Sequence, residues 1–217
     1  MTRSQHRACL VLLGLLPMAA MAKPIAYAHG TTLMIEYGAG TMNEVQLFHA
    51  PAYWYSLGGG WLDLTSDDRR KSRHITYVRG NVLAKRWNMP GAQANVFAWG
   101  GIGSATGNDF SGSTLARDIG LQADVETRRL YASLRSDLEE SDHFSHRIDT
   151  LQLGIAPYKH DYTTLATWVV LQGRQYTGAL HSGVETALLL RFFKGGTWIE
   201  FGATTDGKVQ TMAMFNF

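Results

Sequence analysis

The chain has 217 residues, with 20 Lys and Arg against 18 Asp and Glu, a formal charge of +2 and 45% apolar residues. That near-neutral balance leaves no basic footprint for nucleic acid, and the single cysteine, Cys9, excludes a disulfide framework. The 23 glycines, 9 tyrosines, 9 phenylalanines and 6 tryptophans against 5 prolines favour many strands with aromatic edges.

At the N-terminus, Arg3, His6 and Arg7 form a basic region, Ala8 to Leu16 a short apolar run, and Ala20-Met21-Ala22 an A-x-A cleavage site. These read as a signal peptide over 1–22, followed by one domain over 23–217. A second such site, Ala26-Tyr27-Ala28, lies far from the apolar run. The run is shorter than the roughly 20 residues that span a bilayer as a helix. Cys9 follows His6-Arg7-Ala8, whereas a lipoprotein anchor would need apolar residues there. Removing 22 of 217 residues leaves 195, enough for one domain.

Strands are predicted near 31–38, 44–50, 53–65, 73–87 and 93–104, with Gly58-Gly59-Gly60 and Gly100-Gly101 marking bends or close strand contacts. Further on, the alternation is cleaner. Ile119, Leu121, Ala123 and Val125 oppose Asp118, Gln122, Asp124 and Glu126. Leu130, Ala132 and Leu134 oppose Tyr131, Ser133, Arg135 and Asp137. Leu151, Leu153 and Ile155 oppose Thr150, Gln152 and Gly154. Thr167, Val169 and Leu171 oppose Ala166, Trp168, Val170 and Gln172. Val184, Leu188, Leu190 and Phe192 oppose Glu185, Ala187, Leu189 and Arg191, and Ile199, Phe201 and Ala203 oppose Trp198, Glu200 and Gly202. Lys194-Gly195-Gly196 and Thr205-Asp206-Gly207-Lys208 are hairpin turns.

Charged residues gather on one face of each strand, the apolar-out, polar-in dyad of a transmembrane barrel. The fold class read from this pattern is all-β: an antiparallel up-and-down transmembrane β-barrel of about twelve strands, with eight to twelve admissible. Polar segments 66–72, 106–117, 139–145 and 175–182 are then extracellular loops, and Trp87–Gln93 a periplasmic turn. A soluble lipocalin-like barrel would alternate too, but apolar-in.

The last strand decides between them. In Lys208 to Phe217, the residues Val209, Thr211, Ala213, Phe215 and Phe217 share one side, and the chain stops on an aromatic residue. This segment resembles the C-terminal assembly signal of Gram-negative outer-membrane β-barrel proteins, with Phe215 and Phe217 as its aromatic positions. The resemblance implies a multi-pass protein of the cell outer membrane, and an even strand count then puts both termini in the periplasm. Its implied partners are outer-membrane lipids and the barrel-assembly machinery.

The face assigned to the lumen carries Glu36, Asp124, Glu126, Arg135, Asp137, Glu185, Arg191 and Glu200. Such charges either tune a narrow pore for small solutes or metal ions, or pair off and plug the interior of a structural or interaction barrel. No cofactor is expected. If the barrel closes in up-and-down order, Met34, Met212 and Met214 meet at the seam, and thioethers are soft donors that favour copper(I); otherwise they fill irregular space. His29, just before the first strand, could add a nitrogen donor.

An enzyme is not the expected reading, though outer-membrane phospholipases and lipid A deacylases are similar in size class. Their histidine-serine chemistry would fall on His143-Phe144-Ser145 or His181-Ser182. Proteolysis of the omptin kind would call on Asp67-Asp68 and Asp142-His143, but adjacent residues point apart on a strand.

Overall fold

Period-two alternation produces strands, and the computed structural model, which describes residues 28–160, 164–178 and 180–217, contains twelve of them. The signal-peptide reading over 1–22 lies outside the described residues. The strands are β1 (Gly30–Gly38), β2 (Met42–Ala52), β3 (Tyr55–Thr65), β4 (Ser72–Met89), β5 (Ala92–Gly107) and β6 (Ser113–Thr127). They continue as β7 (Leu130–Ser141), β8 (Ser145–Ile155), β9 (Ala166–Thr177), β10 (Gly183–Lys194), β11 (Thr197–Thr204) and β12 (Val209–Asn216). Each pairs antiparallel with its chain neighbour, and β1 closes the ring on β12. The expected up-and-down closed barrel is what forms, at the upper end of the expected strand count.

The polarity is that of a barrel turned inside out. Outward side chains such as Ile119, Leu188 and Leu134 are about 60% exposed (61%, 60% and 58%), while inward Arg191 and Glu44 are 2% and 7% exposed. A lipocalin-like barrel would show the reverse. At the end that carries both termini, Tyr53, Trp54, Trp87 and Tyr158 are exposed, placed as an aromatic girdle would be.

Three of the expected loops are shorter than composition suggested. Strands β5 and β6 run on until only 108–112 separates them, β7 and β8 leave 142–144, and β9 and β10 leave 178–182. The alternation persists through these polar stretches: Leu115 and Arg117 face out while Ala116 and Asp118 face in. Strand ends that rise above an apolar band carry polar residues on both faces, so polarity there marks the rim and not the loss of pairing. The wall is also uneven, with 18, 16 and 15 residues in β4, β5 and β6 against 8 each in β11 and β12.

One irregularity re-aims a strand. Leu83 pairs with Phe97 but Lys85 pairs with Val96, so Ala84 is an extra residue in β4. Before it Tyr77, Arg79, Asn81 and Leu83 face in; after it Arg86 faces in, and Lys85 and Trp87 are exposed.

The inner face is filled by large side chains seated over glycines. A Cβ on Gly120 would fall inside contact distance of the Trp99 indole, and one on Gly58 would meet the backbone of Leu47 and Phe48. The glycine runs are therefore close strand contacts, as expected. Three apolar clusters result, the smallest holding Ala50, Leu83, Phe97 and Trp99; the two larger ones lie toward opposite ends. One, holding Leu64, Ile75, Phe144, Ile148 and Tyr176, sits toward the loop end, and the other, with Trp168, Leu189, Phe193, Trp198 and Met214, sits toward the terminal end. The polar interior lies between them.

Candidate functional site

Antiparallel register carries inward residues around the ring in rows. One row runs Trp168, Arg191, Glu200, Met212, Glu36, Glu44 and Leu62, each the Cα partner of the next across β9, β10, β11, β12, β1, β2 and β3. A second runs Arg79, Gly101, Asp118, Glu139 and His146 across β4 to β8. Side chains of both rows bound a central cavity of about 120 Å³, which is also lined by Gln122, Arg135, Asp137, Arg174 and Gln210.

Most of its charges are matched. Arg191 donates through Nε to Glu200 at 3.0 Å and through Nη2 to Gln152 at 2.7 Å, and lies over the rings of Tyr131 and Trp198. Trp198 donates to the same Glu200 oxygen at 2.7 Å. Arg135 grips Asp137 with two bonds of 2.6 and 2.9 Å, and Arg174 reaches Glu36 at 2.6 Å. Such hydrogen-bonded guanidinium pairs offset the cost of burying charge.

The Arg79 row is different. Arg79 donates through Nε to Asp118 over the intervening strand β5, where a Cβ on Gly101 would crowd both residues. Glu139 is the direct cross-strand neighbour of Asp118. Its nearer oxygen is 3.9 Å from Arg79, and its Oε2 has no hydrogen-bond partner among the described residues. Glu44 accepts from the Tyr77 hydroxyl at 2.6 Å.

All eight lumen charges expected from the sequence face inward. Glu36, Arg135, Asp137 and Glu200 come together on the central cavity. Asp124, which accepts from Asn95 at 2.6 Å, and Glu126 sit toward the terminal end; Glu185, which accepts from Gln210 at 2.6 Å, sits toward the loop end. Sequence reasoning did not select Glu44, Arg79, Glu139 or Arg174. Glu44 and Arg79 lie in strands whose alternation is less clean, and Glu139 falls within the polar segment 139–145. The Arg73, Ile75, Tyr77, Arg79, Asn81 alternation was the available signal for β4.

The three methionines divide. Met34 is the Cα partner of Met214 across the closing seam, and Met212 is the partner of Glu36. Met34 and Met212 line a second cavity of about 60 Å³ with Glu36, Glu44 and Arg79, whereas Met214, at 0% exposure, is packed in the Trp198 cluster.

At the loop end, His181 Nδ1 is 2.6 Å from Asp67 Oδ2, its Nε2 is 3.7 Å from Glu185, and Lys208 Nζ is 3.3 Å from the other Asp67 oxygen. Partial burial alone would raise the Asp67 carboxyl. The hydrogen bonds and charges of His181 and Lys208 outweigh it and hold Asp67 below the usual carboxylate value. Both His181 nitrogens thus face carboxylates, not Ser182. His143 stacks on Phe110 with centroids 5.1 Å apart. Asp68 accepts from Ser66 and the Arg70 amide, which shapes the 66–71 turn.

No family model matches the chain, and no curated protein matches it. Among solved structures it is similar to a KdgM porin, at a TM-score of 0.46 and 12% identity over 86% of this chain and 96% of that one. The KdgM porin in complex with disordered oligogalacturonate gives the same values.

Proposed function

We propose that this chain is an outer-membrane β-barrel, exported by a signal peptide cleaved after Ala22, that passes small polar solutes through a narrow, charge-lined interior. The observation that carries this reading is the inverted polarity: an apolar outer wall enclosing buried ion pairs around a polar cavity of about 120 Å³. An outer surface of exposed Leu, Ile and Val is stable in hydrocarbon and not in water. Inside, guanidinium pairs locked by two or more contacts hold the wall in shape, and the remaining polar groups can replace part of a solute's hydration. Outer-membrane lipids would cover the band, and the aromatic Phe215 and Phe217 would serve the barrel-assembly machinery.

Copper(I) is a second solute reading, favoured by Met34 and Met212 facing one cavity beside Glu36.

The test is fractionation followed by reconstitution. The mature protein should partition with the outer membrane, migrate faster unheated than boiled, and give discrete conductance steps in a planar lipid bilayer. Recovery as a freely soluble periplasmic monomer would sink the membrane reading. A folded, membrane-inserted barrel without conductance would leave a plugged structural barrel in its place.

A further inference from the structure

The central cavity does not balance its own charge. Five carboxylates line it, from Glu36, Glu44, Asp137, Glu139 and Glu200, against three guanidiniums, from Arg79, Arg135 and Arg174. Three of the carboxylates have a hydrogen-bonded guanidinium of their own: Glu36 with Arg174, Asp137 with Arg135, and Glu200 with the inward-facing Arg191 next to the cavity. Glu44 and Glu139 have none. Arg79, the cation nearest Glu139, is bound through Nε to Asp118, which lies directly across the strand pair from Glu139. One guanidinium cannot neutralise two adjacent carboxylates, and like charges set opposite each other in a ladder are unfavourable. Arg79 and Arg135 are further held over the rings of Tyr77 and Trp99, which fixes their planes.

The second observation is Glu139 itself. It is 3% exposed, lines the cavity, and leaves Oε2 without a hydrogen bond among the described residues. A buried carboxylate oxygen in that position needs a donor or a cation. Among the described residues no three His, Cys, Asp or Glu side chains converge as a metal site would require. The cavity side of Glu139 is open to a partner that enters with water or with its own N–H groups.

We propose that the chamber selects cationic solutes, namely hydrated monovalent cations and small alkylammonium ions, and that Glu139, supported by Glu44, is the carboxylate that receives them. This rests on the reading of the barrel as a conduit. A cation entering beside Glu139 supplies the charge that Arg79, already bound to Asp118, does not, and meets Glu44 from the far side of the same cavity. An anion meets two uncompensated carboxylates, while the guanidiniums that could attract it are already bound to acids.

The experiment is a reversal-potential measurement on the full mature protein in a planar bilayer under a KCl gradient, repeated with methylammonium chloride. Potassium and methylammonium should both be preferred over chloride. E139Q, confirmed as folded by heat-modifiable migration, should lower that preference by on the order of fivefold, as expected for removing one unit charge a few ångströms from a permeant ion in a partly aqueous medium. R135Q should move it the opposite way, which a merely structural disturbance would not do. Conductance with no cation preference, or with an anion preference, overturns the inference and leaves the conduit standing. Conductance whose selectivity is unchanged in E139Q would show that a proton occupies that carboxyl, and removes Glu139 from the site. Absence of any conductance removes the conduit and the inference together.

Discussion

Arg191 shows what a single inward position must satisfy. Its guanidinium is 2% exposed, bonded to Glu200 and Gln152, and lies against Tyr131 and Trp198. Removing one partner of such a pair leaves a buried charge unmatched, which costs about 3–5 kcal/mol. The same residue scale separates the three methionines. A copper(I) site drawn at the seam can use the sulfurs of Met34 and Met212, which share a cavity, but Met214 is consumed by packing. The expected outcome is that M34L/M212L abolishes copper(I) uptake in a competition titration with a chromogenic chelator, while M214L leaves it intact. Methionine-to-leucine exchange conserves volume and costs less than about 1.5 kcal/mol, so both variants should fold. A parent protein that takes up no copper(I), or a double variant that takes up as much as the parent, removes copper from the solutes. The charges on β6, β7, β10 and β11 were legible because each sits in an unbroken alternation. Glu44 and Glu139 were not, since their meaning depends on Arg79 being already bound to an acid on another strand, and no local pattern encodes that.

At the scale of the strand, alternation located every element, and the errors lay at the ends. A period of two reports which face a residue takes, not whether the face is bathed by lipid, headgroups or water. The ends of β5, β6, β7 and β9 therefore read as loop although they stay paired. The Ala84 bulge was equally hidden, because a single inserted residue merely exchanges the two faces of β4. In the middle of the strands, face assignment has an energetic consequence. Leu188 is 60% exposed on the outer wall, where arginine at bilayer depth costs roughly 2–4 kcal/mol. Leu188→Arg should therefore cut the yield of folded, heat-modifiable barrel sharply, and Gln122→Lys, which points into the central cavity, should do so much less. Equal loss from the two changes would mean that the interior around Gln122 is packed dry, against the conduit reading.

Across the whole molecule, the ring order sets the β3–β4 and β9–β10 connections on opposite sides of the mouth, yet Asp67 from the first touches His181 from the second and Lys208 beside β12. Three hairpins are thereby strapped together by one carboxylate above the apolar cluster of Phe144, Tyr176 and Leu64. The strap is solvent-facing, with the Asp67 side chain 54% exposed, so its worth is small and salt-sensitive. Its pH dependence has a definite sign. The Asp67 carboxyl is held below its ordinary value of 3.8, so the folded form binds the proton less readily than the unfolded chain does. The strap's contribution is complete above that ordinary value and is lost as pH falls through the depressed one. Limited proteolysis of the 66–71 segment reads this directly. Cleavage should be slow at neutral pH, rise as the solution is taken below the Asp67 value, and already be fast at neutral pH in D67N. Acidification should add little to D67N, because that variant has no carboxyl left to protonate. A cleavage rate that rises equally with acid in D67N and in the parent would assign the opening to other groups and dismiss Asp67 as the tie across the mouth.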